Sequence, residues 1–158
     1  PDRAAWTEYF RTVEIPVLFE TAVALEALRA NEDDADANSI GEMVANDPLM
    51  TLKVLAYASS HRGKSVVTDT ETVTAALVMM GISPFFRAFG TQLTVEEHLA
   101  SEPEALAGLH ATVRRAHRAR NYALGVVGHR IAPDAAVVPS GALLHAFADT
   151  MVWFPGTT

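Results

Sequence analysis

The chain has 158 residues, of which 49% are hydrophobic and 20% are charged, and its formal net charge is −7. A chain of this composition is expected to fold, and its length suits one domain. Because the sequence contains no cysteine, disulfides, thiolate metal sites and a thiol nucleophile are excluded. The acidic balance argues against nucleic acid as a general partner, since phosphate backbones repel a negative surface.

Neither a membrane span nor a secretory signal is visible in the sequence. The longest apolar run, Ala75 to Ile82, is far shorter than the roughly 20 residues that cross a bilayer. The first residues show no basic stretch followed by an apolar core. These patterns predict a cytoplasmic protein that does not contact membranes. No repeat or linker divides the sequence, so residues 1–158 are predicted to form one domain.

Helical spacing of apolar residues recurs almost everywhere, and no segment alternates apolar and polar residues for long enough to predict a half-buried strand. The pattern predicts eight helices. The first is expected over about residues 3–13, the second from Pro16 and the third from Ser39. Glu42 stands three residues after Ser39, which predicts a capping box at the start of the third helix.

The next three helices have clear start or stop signals. Asp47 and Pro48 supply an N-cap and a first helical residue for the fourth helix, which is predicted to end near Ser60. Gly81 is placed to close the fifth helix in the left-handed conformation. The residues predicted to be buried are Leu49, Leu52, Leu55 and Ala56 in the fourth helix, Val73, Ala76, Leu77 and Met80 in the fifth, and Phe85, Phe86 and Phe89 in the sixth.

Ser101 and Glu104 predict a second capping box, which opens the longest helix, and Gly125 and Gly128 weaken its far end. The last helix is predicted to start at Ser140. The residues predicted to be buried are Leu106, Leu109, Val113, Ala116, Ala123 and Val127 in the long helix, and Leu144, Phe147, Ala148 and Met151 in the last. The predicted fold class is therefore all-α, a compact multi-helix bundle or orthogonal helix array.

Two short motifs resemble ligand-binding loops but are incomplete. Asp34 to Asn38 matches the start of an EF-hand calcium loop, yet Ser39 and Ala45 stand where that loop requires glycine and glutamate. Residues 63–65 resemble the end of a phosphate-binding loop, yet they follow a predicted helix rather than a strand. We interpret the first segment as a solvated acidic loop and the second as a turn.

Four arginines in the long helix are candidate anion-binding residues. Arg114 and Arg118 share a helix face at a spacing of four residues, so together they could bind an anion. The alternative is that all four are solvated or are paired with carboxylates of a neighbouring helix. They are Arg114, Arg115, Arg118 and Arg120.

The histidines do not form a recognisable metal motif. His110 and His117 lie two helical turns apart, about 10.5 Å, which is too far for both to bind one ion unaided. His145 and Asp149 could share an ion one turn apart, but two ligands do not complete a shell. A hydrogen-bonded histidine in a helix interface is the simpler interpretation of His145.

Five segments of the sequence share an order that is typical of one known family, and they are Ile15 to Leu18, Asn46 to Leu55, Ala58 to Ser60, Ala75 to Ile82, and Gly141 to Asp149. The last of them, around His145, is similar to the GLLHDIGK-type sequence of the HD superfamily. Together the segments resemble the HDOD family, the HD-related output domain of bacterial signalling proteins. The resemblance implies an all-helical HD-like fold and a regulatory or scaffolding role within longer signalling proteins.

The same resemblance implies which residues occupy the positions of the HD metal site. His117 corresponds to the upstream histidine and His145 to the histidine of the doublet, whereas Ala146 stands where the doublet has aspartate. Alanine cannot bind a metal, and Asp149 lies where the family motif has a basic or variable residue. The sequence also stops at Thr158, before a helix that could supply the final aspartate, so we expect a domain shortened at its C-terminus.

These observations predict a non-catalytic signal-transduction module that binds a protein partner or itself, without a metal or other cofactor. Its vestigial site positions are His117, His145 and Ala146. The alternatives are a degenerate metal-dependent HD phosphohydrolase and a nucleotide- or anion-sensing domain. No feature of the sequence specifically supports binding of a cyclic nucleotide.

Overall fold

The computed structural model describes residues 13–60, 72–127 and 137–153. Helices dominate these ranges, and the all-α class predicted from the sequence is confirmed. The predicted helix over residues 3–13 and the turn at residues 63–65 lie outside the described residues. In chain order the helices are α1 (Phe19–Ala30), α2 (Ala37–Ala45), α3 (Pro48–Ser60), α4 (Val73–Met80), α5 (Ile82–Ala88), α6 (Val95–His98), α7 (Pro103–Val127), α8 (Val137–Leu144) and α9 (Phe147–Val152), with a 3₁₀ turn at Glu32–Asp34.

The segment before α1 is extended, although the sequence predicts a helix from Pro16. The Val17 N–H donates to the Leu93 carbonyl at 2.9 Å, and the Val17 carbonyl accepts from the Val95 N–H at 2.8 Å. These two bonds form an isolated parallel bridge with the segment before α6. Because the bridge uses both backbone groups of Val17, α1 starts only at Phe19.

The capping box predicted from Ser39 is wrong in its register. The N-cap of α2 is Asp36, whose Oδ1 accepts from the backbone N–H of Asn38 at 2.9 Å and of Ser39 at 2.7 Å. The Ser39 hydroxyl reciprocates by accepting from the Asp36 N–H at 3.1 Å. The hydrogen bonds from Ser39 hold the pKa of Asp36 below its usual value. This acidic segment therefore caps a helix.

The capping box predicted at Ser101 and Glu104 is also wrong, because α7 begins at Pro103. The box in this region opens α6 instead. The Thr94 hydroxyl accepts from the Glu97 N–H at 3.2 Å, and the Glu97 carboxylate accepts from the Thr94 N–H at 3.1 Å. The sequence has two such signatures here, and the structure uses the earlier one, whose threonine is buried.

Within the part of the chain that the structure describes, buried apolar side chains form two clusters, which the extended segment before α1 joins. Val17 belongs to one cluster and its neighbour Leu18 to the other. The first cluster lies among α1 to α5 and the second lies among α3, α6, α7 and α9. The buried residues of the second cluster are Leu18, Leu49, Val95, Leu99, Ala105, Leu109, Val113 and Met151.

The predicted limits of α3 are confirmed, but its buried face differs from the prediction. Leu52 and Leu55 are half-buried and Ala56 is exposed. The N-cap of α3, Asp47, is fully buried, and the first turn of the helix is buried with it. The buried side chains of α3 therefore differ from the predicted set. The buried residues of α3 are Pro48, Leu49, Met50, Thr51 and Val54.

The region from α4 to α5 follows the prediction closely. Gly81 has φ 85° and ψ 156°, so it has the positive φ that favours glycine, although its ψ lies outside the left-handed helical well. Met80 is half-buried rather than buried. The predicted burial is confirmed for Val73, Ala76, Leu77, Phe85, Phe86 and Phe89.

The last predicted helix is two helices, α8 and α9, with a break at His145 and Ala146. Ala146 has φ −97° and ψ 21°, outside regular helical geometry. The break allows α8 to pack on α3 and α7 while α9 packs on α7. An alanine at Gly108 would bring its Cβ within 2.6 Å of the Trp153 ring, so α7 and the end of α9 approach closely here.

The burial pattern of these last helices departs in part from the prediction. On α7, Leu106 and Val127 are half-buried, whereas the other four predicted core residues are buried. On α8 and α9, the predicted burial is confirmed for Met151, whereas Leu144 and Phe147 are half-buried and Ala148 is exposed. Leu143, which was not predicted, is buried. No helix within the described ranges combines the length and the apolar character that crossing a bilayer requires.

Candidate functional site

His145 and Ala146 lie in the break between α8 and α9, and their side chains have opposite environments. The His145 ring is exposed, and its Nδ1 lies 2.6 Å from the carbonyl oxygen of Ala142 in the preceding turn. Since a carbonyl only accepts, Nδ1 carries the proton of this bond. Ala146 is 9% exposed, and its carbonyl accepts from the Thr150 N–H and hydroxyl at 3.0 and 3.1 Å. The vestigial doublet thus consists of a surface imidazole and a buried methyl group.

His117 is half-buried on α7 and bonds to a different part of the fold. Its Nε2 lies 2.6 Å from the carbonyl oxygen of Asn46, at the end of α2. The ring nitrogen must donate in this bond, so its lone pair cannot bind a metal at the same time. His117 and His145 therefore have separate hydrogen-bond partners on separate elements.

The described residues offer no shell that could complete a metal site. Within residues 13–60, 72–127 and 137–153, no group of three or more histidine, cysteine, aspartate or glutamate residues is placed to hold an ion. Asp149, which the sequence places one turn after His145, is exposed. A catalytic zinc site ordinarily uses three protein ligands.

Two adjoining cavities lie beside His117 and form what we call the α1 cleft. Their volumes are about 310 and 260 Å³, and both are lined by Leu18, Glu20 and His117. The first extends towards Met43 and Asn46 on α2 and is largely apolar. The second extends along α7 and also contains several charged or titratable side chains, Glu20, Glu96, His110, Arg114 and His117.

Glu96 organises the second half of the α1 cleft. One carboxylate oxygen accepts from the Phe19 N–H at 3.0 Å, at the first turn of α1, and the other lies 3.0 Å from Nε2 of His110. An acidic group is favourable at a helix N-terminus because the first N–H groups have no partner within the helix. Glu96 therefore joins α1, α6 and α7. No sequence signal identified it, because it lies 77 positions from Phe19.

Asp47 fixes the wall of the α1 cleft from the inside. Its two carboxylate oxygens accept from the backbone N–H groups of Leu18 at 2.8 Å, Leu49 at 2.8 Å and Met50 at 3.2 Å. Burial raises the pKa of Asp47, while the hydrogen bonds from Leu18, Thr21, Leu49 and Met50 lower it in part. The sequence predicted Asp47 as an N-cap, and the structure adds that the same carboxylate holds the start of α1.

Lys53 secures the same segment from α3. Its ammonium donates to the Ile15 carbonyl at 2.8 Å and to the Gln92 side chain. Burial lowers the pKa of Lys53, and the nearby charges of Glu14 and Asp47 oppose that shift. Lys53 and Asp47 therefore hold the extended segment at both of its ends.

The four arginines of α7 do not converge on one site. Arg114 lines the α1 cleft together with Glu20 and Glu96. Arg120 lines a separate cavity of about 490 Å³ near the starts of α4 and α8. Arg115 and Arg118 are exposed on the outer side of the helix. At 100° per residue, Arg114, Arg115 and Arg118 fall within an arc of about 100°, whereas Arg120 lies at least about 120° from each of them, so the four side chains do not share one face.

The comparisons with known proteins identify one family. The family model described as HDOD domain matches residues 15–154. Searches of curated proteins and of solved structures returned no match. The matched range includes the extended segment, Asp47, His117 and the pair at 145–146.

Proposed function

Because the chain belongs to the HDOD family, we propose that it is a bacterial signal-transduction module that acts by protein–protein interaction and does not hydrolyse phosphoesters. The environment of the doublet position carries this proposal. Ala146 supplies no ligand atom, and its methyl group is buried, so neither chemistry nor access supports a metal there. His145 is exposed, and its hydrogen bond among the described residues is to the Ala142 carbonyl in the preceding turn.

The bond of His117 gives this residue a structural role and involves one of its two ring nitrogens. A metal-binding histidine donates its second ring proton to a carbonyl or carboxylate while the other nitrogen binds the ion. Nε2 of His117 is the donating nitrogen, so only Nδ1 could act as a ligand. His117 thereby contributes to holding α7 against the end of α2, which is a structural role.

Metal content and phosphoesterase activity test the absence of hydrolysis. We expect purified protein to contain no stoichiometric transition metal by mass spectrometry. We also expect no turnover of bis-p-nitrophenyl phosphate or of a cyclic dinucleotide in the presence of Mn²⁺. Bound metal together with turnover that is lost in both His117→Ala and His145→Ala would contradict the proposal and support the degenerate phosphohydrolase instead.

The lining of the α1 cleft argues against an anion-sensing role at this site. Arg114 is the arginine that lines this cleft, and two carboxylates, Glu20 and Glu96, line the same space. Carboxylates disfavour a second negative charge at such short range. Calorimetric titration with nucleotides at two salt concentrations tests this role, and we expect no saturable heat.

A further inference from the structure

The outer side of α7 carries a continuous exposed strip that the α1 cleft does not include. At 100° per residue, its members fall within an arc of about 80° over a length of about 22 Å. All of them are exposed. We name it the arginine–tyrosine face, and it consists of Ala111, Arg115, Arg118, Tyr122 and Val126.

This face combines apolar and cationic groups on the solvent-exposed surface of α7. Tyr122 is 77% exposed and Val126 is 42% exposed. An aromatic ring held this far into solvent gains little from burial within its own domain, whereas tyrosine and arginine are enriched where proteins bind one another. The buried residues of α7 fall in a separate arc of about 100° that begins about 40° beyond Val126, and they are Ala105, Leu109, Thr112, Val113, Ala116 and Ala123.

The charge of the face contrasts with that of the whole chain. The chain has a net charge of −7, yet residues 105–127 contain four arginines and no aspartate or glutamate. One guanidinium nitrogen of Arg115 donates to the Thr112 hydroxyl at 3.1 Å, which orders the side chain along the helix. Within the described residues, Arg118 makes no ion pair. Two positive groups are thus presented beside an apolar surface.

We propose that the arginine–tyrosine face docks an acidic helical segment of a protein partner. The carboxylates of the acidic segment would pair with Arg115 and Arg118, and an apolar side chain of the same segment would pack on Tyr122 and Val126. Guanidinium groups suit carboxylates because they form paired, parallel hydrogen bonds. This inference rests on the proposed signalling function and names the chemistry of the partner.

Other occupants fit the face less well. Two copies meeting through the same face would supply no carboxylate for Arg115 and Arg118, because a two-fold interface uses the same surface patch on both copies. A nucleic acid would approach two exposed arginines on a strongly acidic chain. A membrane would gain only about 1 kcal/mol from each basic residue near an anionic surface, which is too little for stable attachment.

Fluorescence anisotropy with a designed peptide tests the inference. The probe is a labelled helical peptide that carries glutamates three and four residues apart beside a leucine stripe, and its matched control has glutamine at every glutamate. We expect the chain to bind the acidic peptide and not the control, with affinity that falls as salt rises. Arg118→Glu should weaken binding by at least about tenfold, which corresponds to about 1.4 kcal/mol.

Two further variants separate the surface from general charge. Tyr122→Ala should weaken binding several-fold, since it removes the apolar contact but no charge. Arg87→Glu changes an exposed arginine on α5 and should leave peptide affinity unchanged. Circular dichroism must show that all three variants retain the wild-type helical signal.

Several results would overturn the inference. Absence of peptide binding would contradict docking at the arginine–tyrosine face. So would a loss of binding in Arg87→Glu as large as the loss in Arg118→Glu. So would equally tight binding of a single-stranded oligonucleotide or of phosphatidylserine vesicles. Dimerisation in sedimentation experiments that Arg118→Glu abolishes would assign the face to a second copy. Metal-dependent turnover would instead overturn the proposed function and leave the peptide measurements interpretable.

Discussion

Asp47 and the pair His145–Ala146 are both centres of family-like sequence motifs, yet the fold uses them in opposite ways. Asp47 is fully buried, and its carboxylate binds backbone groups of the α1 and α3 starts. His145 is exposed, and its ring bonds to the preceding turn. A motif residue that joins distant elements is needed for the fold, whereas one with only local bonds can lose its original chemistry without loss of the structure.

Replacement of Asp47 should have the largest effect. Asp47→Ala leaves the buried N–H groups of Leu18, Leu49 and Met50 without their acceptor. Each unsatisfied buried group costs about 1–3 kcal/mol, so we expect a loss of about 3 kcal/mol or more in the free energy of unfolding. Urea denaturation followed by circular dichroism measures it. Asp33→Ala, at an exposed acidic residue, is the control and should change stability by less than about 0.5 kcal/mol.

Restoring the doublet aspartate should have an intermediate effect. Ala146→Asp places a carboxylate at a buried position, which we expect to destabilise the fold by about 2 kcal/mol. Ala148→Asp, at an exposed position on α9, is the matched control and should be nearly neutral. Denaturation curves with and without Mn²⁺ test both variants. Stabilisation of Ala146→Asp by the metal would show that the site needs only its missing ligand, contrary to the proposal.

Removal of the His145 ring should have little effect. His145→Ala deletes an exposed side chain with one local hydrogen bond, and we expect a change of less than about 0.5 kcal/mol in the free energy of unfolding. The same denaturation measurement applies. A loss comparable to that of Asp47→Ala would show that the two motifs are equally structural and would remove the contrast between them.

The effect of replacing the exposed cap Asp36 should depend on pH, and at neutral pH it should exceed the effect of removing the His145 ring, because an N-cap satisfies helix N–H groups that have no other partner. The folded-state pKa of Asp36 lies below its ordinary value of 3.8, so its stabilisation is present above that pH and is lost as the pH falls through the folded pKa. The stability difference between wild type and Asp36→Ala should therefore shrink in acid. Denaturation at a series of pH values measures this difference. A constant difference would mean that the Asp36 carboxylate does not cap α2.

The sequence was sufficient to predict most of the helices and much of the core, because helical periodicity is a local property. It placed α3 at Pro48 and predicted the burial of Phe85, Phe86 and Phe89 correctly. It could not place the break at His145, since the break depends on how α8 and α9 pack on other helices. The role of Glu96 likewise depends on a contact between distant parts of the chain.

The candidate site was predicted less completely than the fold. The family resemblance selected His117, His145 and Ala146, but their hydrogen bonds and burial follow from tertiary packing. The four arginines share a short stretch of sequence, and only the rotation of the helix shows that they face different surroundings.

The bridge at Val17 has a consequence for the order of folding. Phe19, next to the bridge, bonds to a residue 77 positions away, so the chain must close a long loop before this region gains its contacts. We expect these contacts to form late, after the local helix pairs of α2 to α5. Substitutions at Val17 should then accelerate unfolding far more than they slow folding, because such positions are little structured in the transition state.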